Sequence, residues 1–272
     1  MGTRGAPVAR NKAEVLAVLK ARPSWSIRIL LAALLTGAVL GPFGVAATEQ
    51  APPLVRRAIA LYEADHRGDL GFSRHLSFKL HVGPMVHDVR NEVGILMRDG
   101  AYVKVRYYSS ETNGRPDGSS EMQRQEDKAN ADIAAGHGFF KRPVDARYSD
   151  DYRFENASCD GCAVGESAFA FTTTVHDRWH GHGTVVIDNA TARVVRIAYT
   201  YEKPPDHATS ADAVETFGEG MQGLWTCTHV EENYHGRMGL IGGTATMTYT
   251  LDHFKRFAQL ESGLTALSQH AL

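Results

Sequence analysis

The sequence has no glycine-rich dinucleotide fingerprint, no phosphate loop, no Gly-x-Ser-x-Gly elbow and no His-Glu-x-x-His pair. Each of these fixes a backbone or a ligand geometry that its chemistry needs, so the common nucleotide, serine-hydrolase and zinc-hydrolase readings lose their support. No ordered pair of acids stands out either. Asp99 and Asp188 sit at turn positions, where local backbone hydrogen bonding accounts for them. An enzyme is not expected, and no cofactor. Nor is there a repeat of fixed period, which sets aside solenoids and propellers. With 43% hydrophobic and 22% charged residues the composition is ordinary, which excludes a long disordered polymer, a collagen-like chain and a multi-span membrane protein.

Positive charge is scarce beyond the N-terminus. The first 47 residues hold six of the 29 Lys/Arg and one of the 31 Asp/Glu, so the remainder carries 23 basic against 30 acidic residues, a net charge of −7 with His neutral. A body that acidic is a poor phosphate binder, and nucleic acid is not an expected partner.

Ile29 to Ala47, ILLAALLTGAVLGPFGVAA, is free of charge, follows a basic stretch and ends in Val45-Ala46-Ala47. This is the order of a secretory signal: basic region, apolar core, small-residue cleavage site. Residues 1–47 are read as a signal peptide and the mature chain as starting near Thr48. The alternative is an uncleaved anchor, since 19 apolar residues lie near the lower limit for a membrane span. Membrane contact is expected through this segment alone. The expected location is the periplasm or the exterior.

Residues 48–272 are read as one domain with a loop-rich segment at 109–165. Pro53 can open a helix running to about Arg67, with Leu54, Val55, Ala58, Ile59 and Tyr62 on one stripe. From Ser73 the period becomes two. Leu76, Phe78, Leu80 and Val82 alternate with His75, Ser77, Lys79 and His81, the pattern of a half-buried strand. Val93, Ile95 and Met97 lead into Asp99-Gly100, a two-residue hairpin turn, and Tyr102 to Tyr108 returns. Glu111 to Ser120 reads as a loop, Glu121 to Ala135 as a helix, and 141–157 as irregular. Strands are expected at 167–175, 183–187, 193–201, 223–234 and 244–251, followed by a polar tail. Successive strands without intervening helices imply an α+β fold, mainly antiparallel β: a curved meander forming an incomplete barrel with two or three packed helices.

Gly183-Thr-Val-Val-Ile-Asp188-Asn-Ala-Thr191-Ala-Arg193-Val-Val-Arg-Ile197 resembles a hairpin that recurs in the periplasmic lipoprotein-carrier (lipoprotein localisation factor) superfamily. The pattern around Gly223-Leu-Trp225 and Tyr234-His-Gly236 is similar too. The resemblance implies a half-open barrel over about residues 54–257 whose apolar concave face holds acyl chains. It therefore implies binding or shuttling of a lipid or other apolar molecule. Among the alternating strand residues, Phe78, Leu80, Val185 and Ile187 are the groove candidates. Each methylene moved from water into such a groove contributes roughly 0.8 kcal/mol. The alternative is a structural or partner-binding envelope domain whose groove is filled by its own side chains.

Cys159, Cys162 and Cys227 are disulfide candidates in an exported chain, with one thiol left over. Cys159–Cys162 would be a local clip, and a bond to Cys227 would close a far longer loop. Cys227 and His229, two apart on a strand, would share a face and could complete a zinc set with the other two thiols. His176, His180 and His182 form a second cluster. Three imidazoles could hold zinc or copper, which makes a metal-binding module a further alternative.

Overall fold

A computed structural model describes residues 51–272, apart from residues 138, 160, 207, 239 and 240. The expected signal segment, residues 1–47, lies outside the described residues. Helix α1 (Pro53–Asp65) begins with Pro53 at its first turn, where a fixed φ suits the helix and the missing N–H has no partner to lose. Val55, Ala58, Ile59 and Tyr62 are buried along one stripe. Removing side chains the size of Val55 and Ile59 from water stabilises by roughly 2 kcal/mol each. The helix ends at His66, whose Nδ1 lies 2.8 Å from the Tyr62 carbonyl oxygen and whose Nε2 lies 3.0 Å from Thr226 Oγ1.

Among the described residues eleven strands make one antiparallel sheet. They are β1 (Asp69–Val82), β2 (Met85–Arg98), β3 (Ala101–Thr112), β4 (Arg115–Pro116), β5 (Tyr152–Ala157), β6 (Glu166–Thr173), β7 (Gly181–Asp188), β8 (Val194–Tyr201), β9 (Ala208–Met221), β10 (Leu224–Met238) and β11 (Ile241–Phe257). Their order is β4-β3-β2-β1-β11-β10-β9-β8-β7-β6-β5. All neighbours but one are consecutive in sequence; β1 and β11 join the two meanders. The sheet does not close, because β4 and β5 remain edges. Register shifts in β1, β2–β3, β7–β8 and β9–β10 mark bulges, which bend strands and curve a sheet. The expected open half-barrel is therefore the observed architecture.

Each face of the sheet is covered differently. On the concave side α1 packs into a core with Val185, Ile187, Ile197, Phe217 and Val230, and a second cluster gathers Phe72, Val93, Ile95, Met97 and Val105. Helix α3 (Leu260–Ser268) lies on the other face, over the opposite parity of β2. There a Cβ on Gly94 would come within 2.6 Å of Leu267 Cδ1, so glycine permits the close approach. Helix α2 (Ser119–Ala134) covers the exposed edge of β3. Asn130 accepts the Val105 N–H at 2.9 Å and donates to the Val105 carbonyl at 3.1 Å, while Glu126 accepts the Tyr107 N–H at 3.1 Å. These side chains stand in for a neighbouring strand, which explains why Glu126 is buried.

Asp99 (φ 49°) and Gly100 (φ 77°) form the expected two-residue turn, and Asp99 Oδ1 accepts the Gly68 N–H at 2.8 Å. Four segments differ from the sequence reading. Glu111 to Ser120 is not a plain loop: Asn113 (φ 53°) and Gly114 (φ 74°) make a second tight turn that returns into β4. The 141–157 stretch contains β5. Strand β9 and helix α3 occupy segments for which no element was expected.

Candidate functional site

The strand alternation sets one row of side chains facing the hollow of the sheet. β8 contributes Tyr199 and Tyr201, β9 Glu215, β10 Val230, Glu232 and Tyr234, β11 Met247, Tyr249 and Leu251, and β1 Arg74. Register places them side by side: Glu215 opposite Val230, Val230 opposite Tyr249, Glu232 opposite Met247, Arg74 opposite Leu251. Helix α1 fills one part of the hollow. Another part remains as a cavity of about 230 Å³.

The segment following α2 roofs that cavity. Phe139 stacks on Tyr102 with ring centroids 3.5 Å apart, and Phe140 stacks on Tyr199 at 3.6 Å. Two residues later Arg142 Nε donates to Glu215 Oε2 at 2.5 Å. Burial opposes the charge on Arg142, but the Glu215 carboxylate beside it strengthens its hold on the proton. Glu215 is only 2% exposed, so removing either partner would leave the other's charge buried and uncompensated.

A second buried carboxylate is held differently. Glu232 accepts hydrogen bonds from Tyr201 Oη at 3.1 Å and from Tyr234 Oη. Burial raises its pKa, and the two tyrosine hydroxyls work against that rise. Burial also pushes the phenol pKa values of Tyr199 and Tyr201 well up, so both act as neutral donors. The Arg74 guanidinium lies 5.2 Å from the centre of the Tyr249 ring. The hollow is thus an aromatic belt with charges set into it, not a uniformly oily trough.

The expected groove residues do not gather here. Val185 and Ile187 are fully buried in the core with α1 and do not line the cavity. Phe78 and Leu80 are half-buried and lie opposite Met247 and Ala245, on the cavity's face but farther along the strands.

The histidines are divided between two carboxylate arrangements. His180 is buried, with Nδ1 2.8 Å from Asp177 Oδ1 and Nε2 3.1 Å from Asp151 Oδ2. His176 and His182 each meet Glu202 at 3.0 Å. Both ring nitrogens of His180 face carboxylates of their own, so the three imidazoles do not converge. Among the described residues no group of three His, Cys, Asp or Glu is placed to hold a metal.

Cys159 is bonded to Cys162, which leaves Cys227 as a buried thiol. Burial pushes the Cys227 thiol up to about 12. The shared face expected for Cys227 and His229 is undone by the bulge between them: Cys227 lies in the core and His229 is exposed. The zinc set with Cys159 and Cys162 is therefore not assembled.

Residues 183–197 form the β7–β8 hairpin. Asp188 Oδ1 accepts from the Thr191 N–H and hydroxyl, both at 2.7 Å, and Ala192 takes a φ of 58°. The Asp and Thr of the motif are thus turn-makers.

No family model matches the chain, and no curated protein matches it. Solved structures similar to it include a lipoprotein-sorting domain, a DUF1329 family protein and a LolA superfamily protein. One is a domain assigned to outer membrane lipoprotein sorting from Vibrio parahaemolyticus, with 11% identity, 82% of this chain and 98% of that chain covered, and a TM-score of 0.43. A DUF1329 family protein from Desulfovibrio piger ATCC 29098 has 12% identity, coverage of 78% and 92%, and a TM-score of 0.37. A LolA superfamily protein from Nitrosomonas europaea has 12% identity, coverage of 76% and 96%, and a TM-score of 0.32. At these scores the likeness carries no functional weight.

Tyr102, Arg142, Tyr199, Tyr201, Glu215 and Glu232 were not singled out in the sequence. The alternation of Tyr199 and Tyr201 on a strand is the signal that could have found them.

Proposed function

We propose that this protein is an exported binding protein that holds an apolar molecule, an acyl chain or a ring, in the hollow of its open sheet. The carrying observation is the cavity of about 230 Å³ that α1 and the roof leave unfilled. An engineered cavity of about 150 Å³ admits benzene. This one therefore suits a ring or a short length of acyl chain. A longer chain would continue over Phe78 and Leu80, on the same face. The aromatic walls offer dispersion contacts, and each buried methylene adds roughly 0.8 kcal/mol. Access would come by lifting the 139–142 segment, which follows Gly136 (φ 70°) at the end of α2. Export is supported by the signal-like order of residues 1–47, and an oxidising compartment suits the Cys159–Cys162 bond.

Native mass spectrometry after gentle purification tests this. A retained acyl species or other apolar mass is the expected result. A bare polypeptide that also takes up no added apolar probe would overturn the reading in favour of a partner-binding envelope domain.

A further inference from the structure

The charges of the cavity do not cancel pairwise. Arg142 is matched to Glu215. Arg178, at the rim, reaches Asp206 at 3.3 Å. Both oxygens of Glu232 are taken by tyrosine hydroxyls. Among the described residues no carboxylate pairs with Arg74. Its Nε is buried with no hydrogen-bond partner, and the contact its guanidinium does make is with the face of Tyr249. Buried polar atoms in native proteins are nearly always partnered, and an unpartnered guanidinium donor on a residue that lines a cavity asks for an acceptor. Glu232 answers weakly, since burial favours its neutral form.

The neighbours narrow the acceptor. A guanidinium fork matches the two oxygens of a carboxylate or a phosphate. Of the cations lining the cavity, Arg142 and Arg178 already have carboxylate partners, so Arg74 alone is left to match charge on a ligand, and one guanidinium balances one negative charge but not a second. A single charge suits better than a double one, which favours carboxylate. Ile95, Val230, Met247 and Leu251 line the same space and would hold an apolar body behind the head.

We infer that the cavity selects a small carboxylate amphiphile, with the carboxylate on Arg74 and the hydrocarbon against Met247 and Leu251. This rests on the reading of the hollow as an apolar-ligand site and adds the head group to it.

Octanoate and 1-octanol share a tail and differ in the head, so titrating both by calorimetry into the purified protein separates the two ideas. Octanoate should bind about tenfold or more tighter than octanol, the size of one charge-assisted hydrogen bond. Arg74→Gln should bring octanoate down to the octanol level and leave octanol unchanged; Arg74→Lys, which keeps the charge but loses the fork, should fall between. Retained octanol affinity also shows that the variant is folded. Equal binding of the two by the unaltered protein, or an Arg74→Gln loss shared equally by both, would overturn the carboxylate assignment while leaving the apolar site standing. Binding of neither would overturn the apolar site and this inference with it.

Discussion

Arg142, in the roof of the cavity, donates to Glu215 of β9 at 2.5 Å, and this contact ties an irregular segment to the floor of the sheet. A buried ion pair is costly to half-remove, because the remaining charge is stranded. Arg142→Ala should therefore lower stability by about 3–5 kcal/mol in urea unfolding. The double change Arg142→Met with Glu215→Leu should recover most of that loss. Equal instability in both variants would show that a stranded charge is not the source of the loss.

Phe140 lies flat on Tyr199, with ring planes 5° apart. Such a contact is worth about 0.5–1.5 kcal/mol beyond the area it buries. Phe140→Ala should loosen the roof more than the sheet. The expected outcome is a faster release of a bound apolar probe by stopped-flow fluorescence, with unfolding still cooperative. Unchanged release would mean that ligands pass elsewhere.

His66 is buried at the end of α1, and burial lowers its pKa from 6.5 to about 4. A depressed pKa means the folded state favours the neutral ring. Its contribution is complete above pH 6.5 and is lost as the pH falls toward 4. The loss is on the order of 3 kcal/mol for a shift of this size. Stability measured by urea unfolding should drop over that window, and His66→Asn should flatten that part of the profile. A profile unaltered by the substitution would contradict this assignment.

Cys227 is buried and its thiol is pushed up to about 12, while Cys159 and Cys162 are bonded to each other. A thiol reagent at pH 8 should find no reactive group in the folded protein, one after denaturation and three after reduction. A reactive thiol in the folded state would mean that the β10 bulge region opens.

Much of this fold is legible in the sequence because apolar alternation and turn chemistry agree. Leu76 to Val82 and the Asp99-Gly100 turn are examples, and the Asp188–Thr191 turn is another. Strand β9 is hidden because its inward residues are Ala211, Ala213, Glu215 and Phe217, of which two are small and one is charged. The site is hidden for a related reason. Arg74, Glu215 and Glu232 face inward against the usual rule; the two carboxylates are made tolerable by Arg142 and Tyr201 from distant parts of the chain and by Tyr234 two residues from Glu232. Register across the β1–β11 junction cannot be read locally either, yet it sets Arg74 opposite Leu251. The bulge between Cys227 and His229 reversed a parity that spacing alone assigned.

Trp179 lines the cavity, which makes it a direct reporter. In a background with Trp25→Phe and Trp225→Phe, titration with a bromine-labelled acyl chain should quench Trp179 fluorescence saturably, and excess unlabelled chain should restore it. Trp179 fluorescence that stays unquenched at saturating acyl chain would contradict occupancy of the hollow by an apolar ligand.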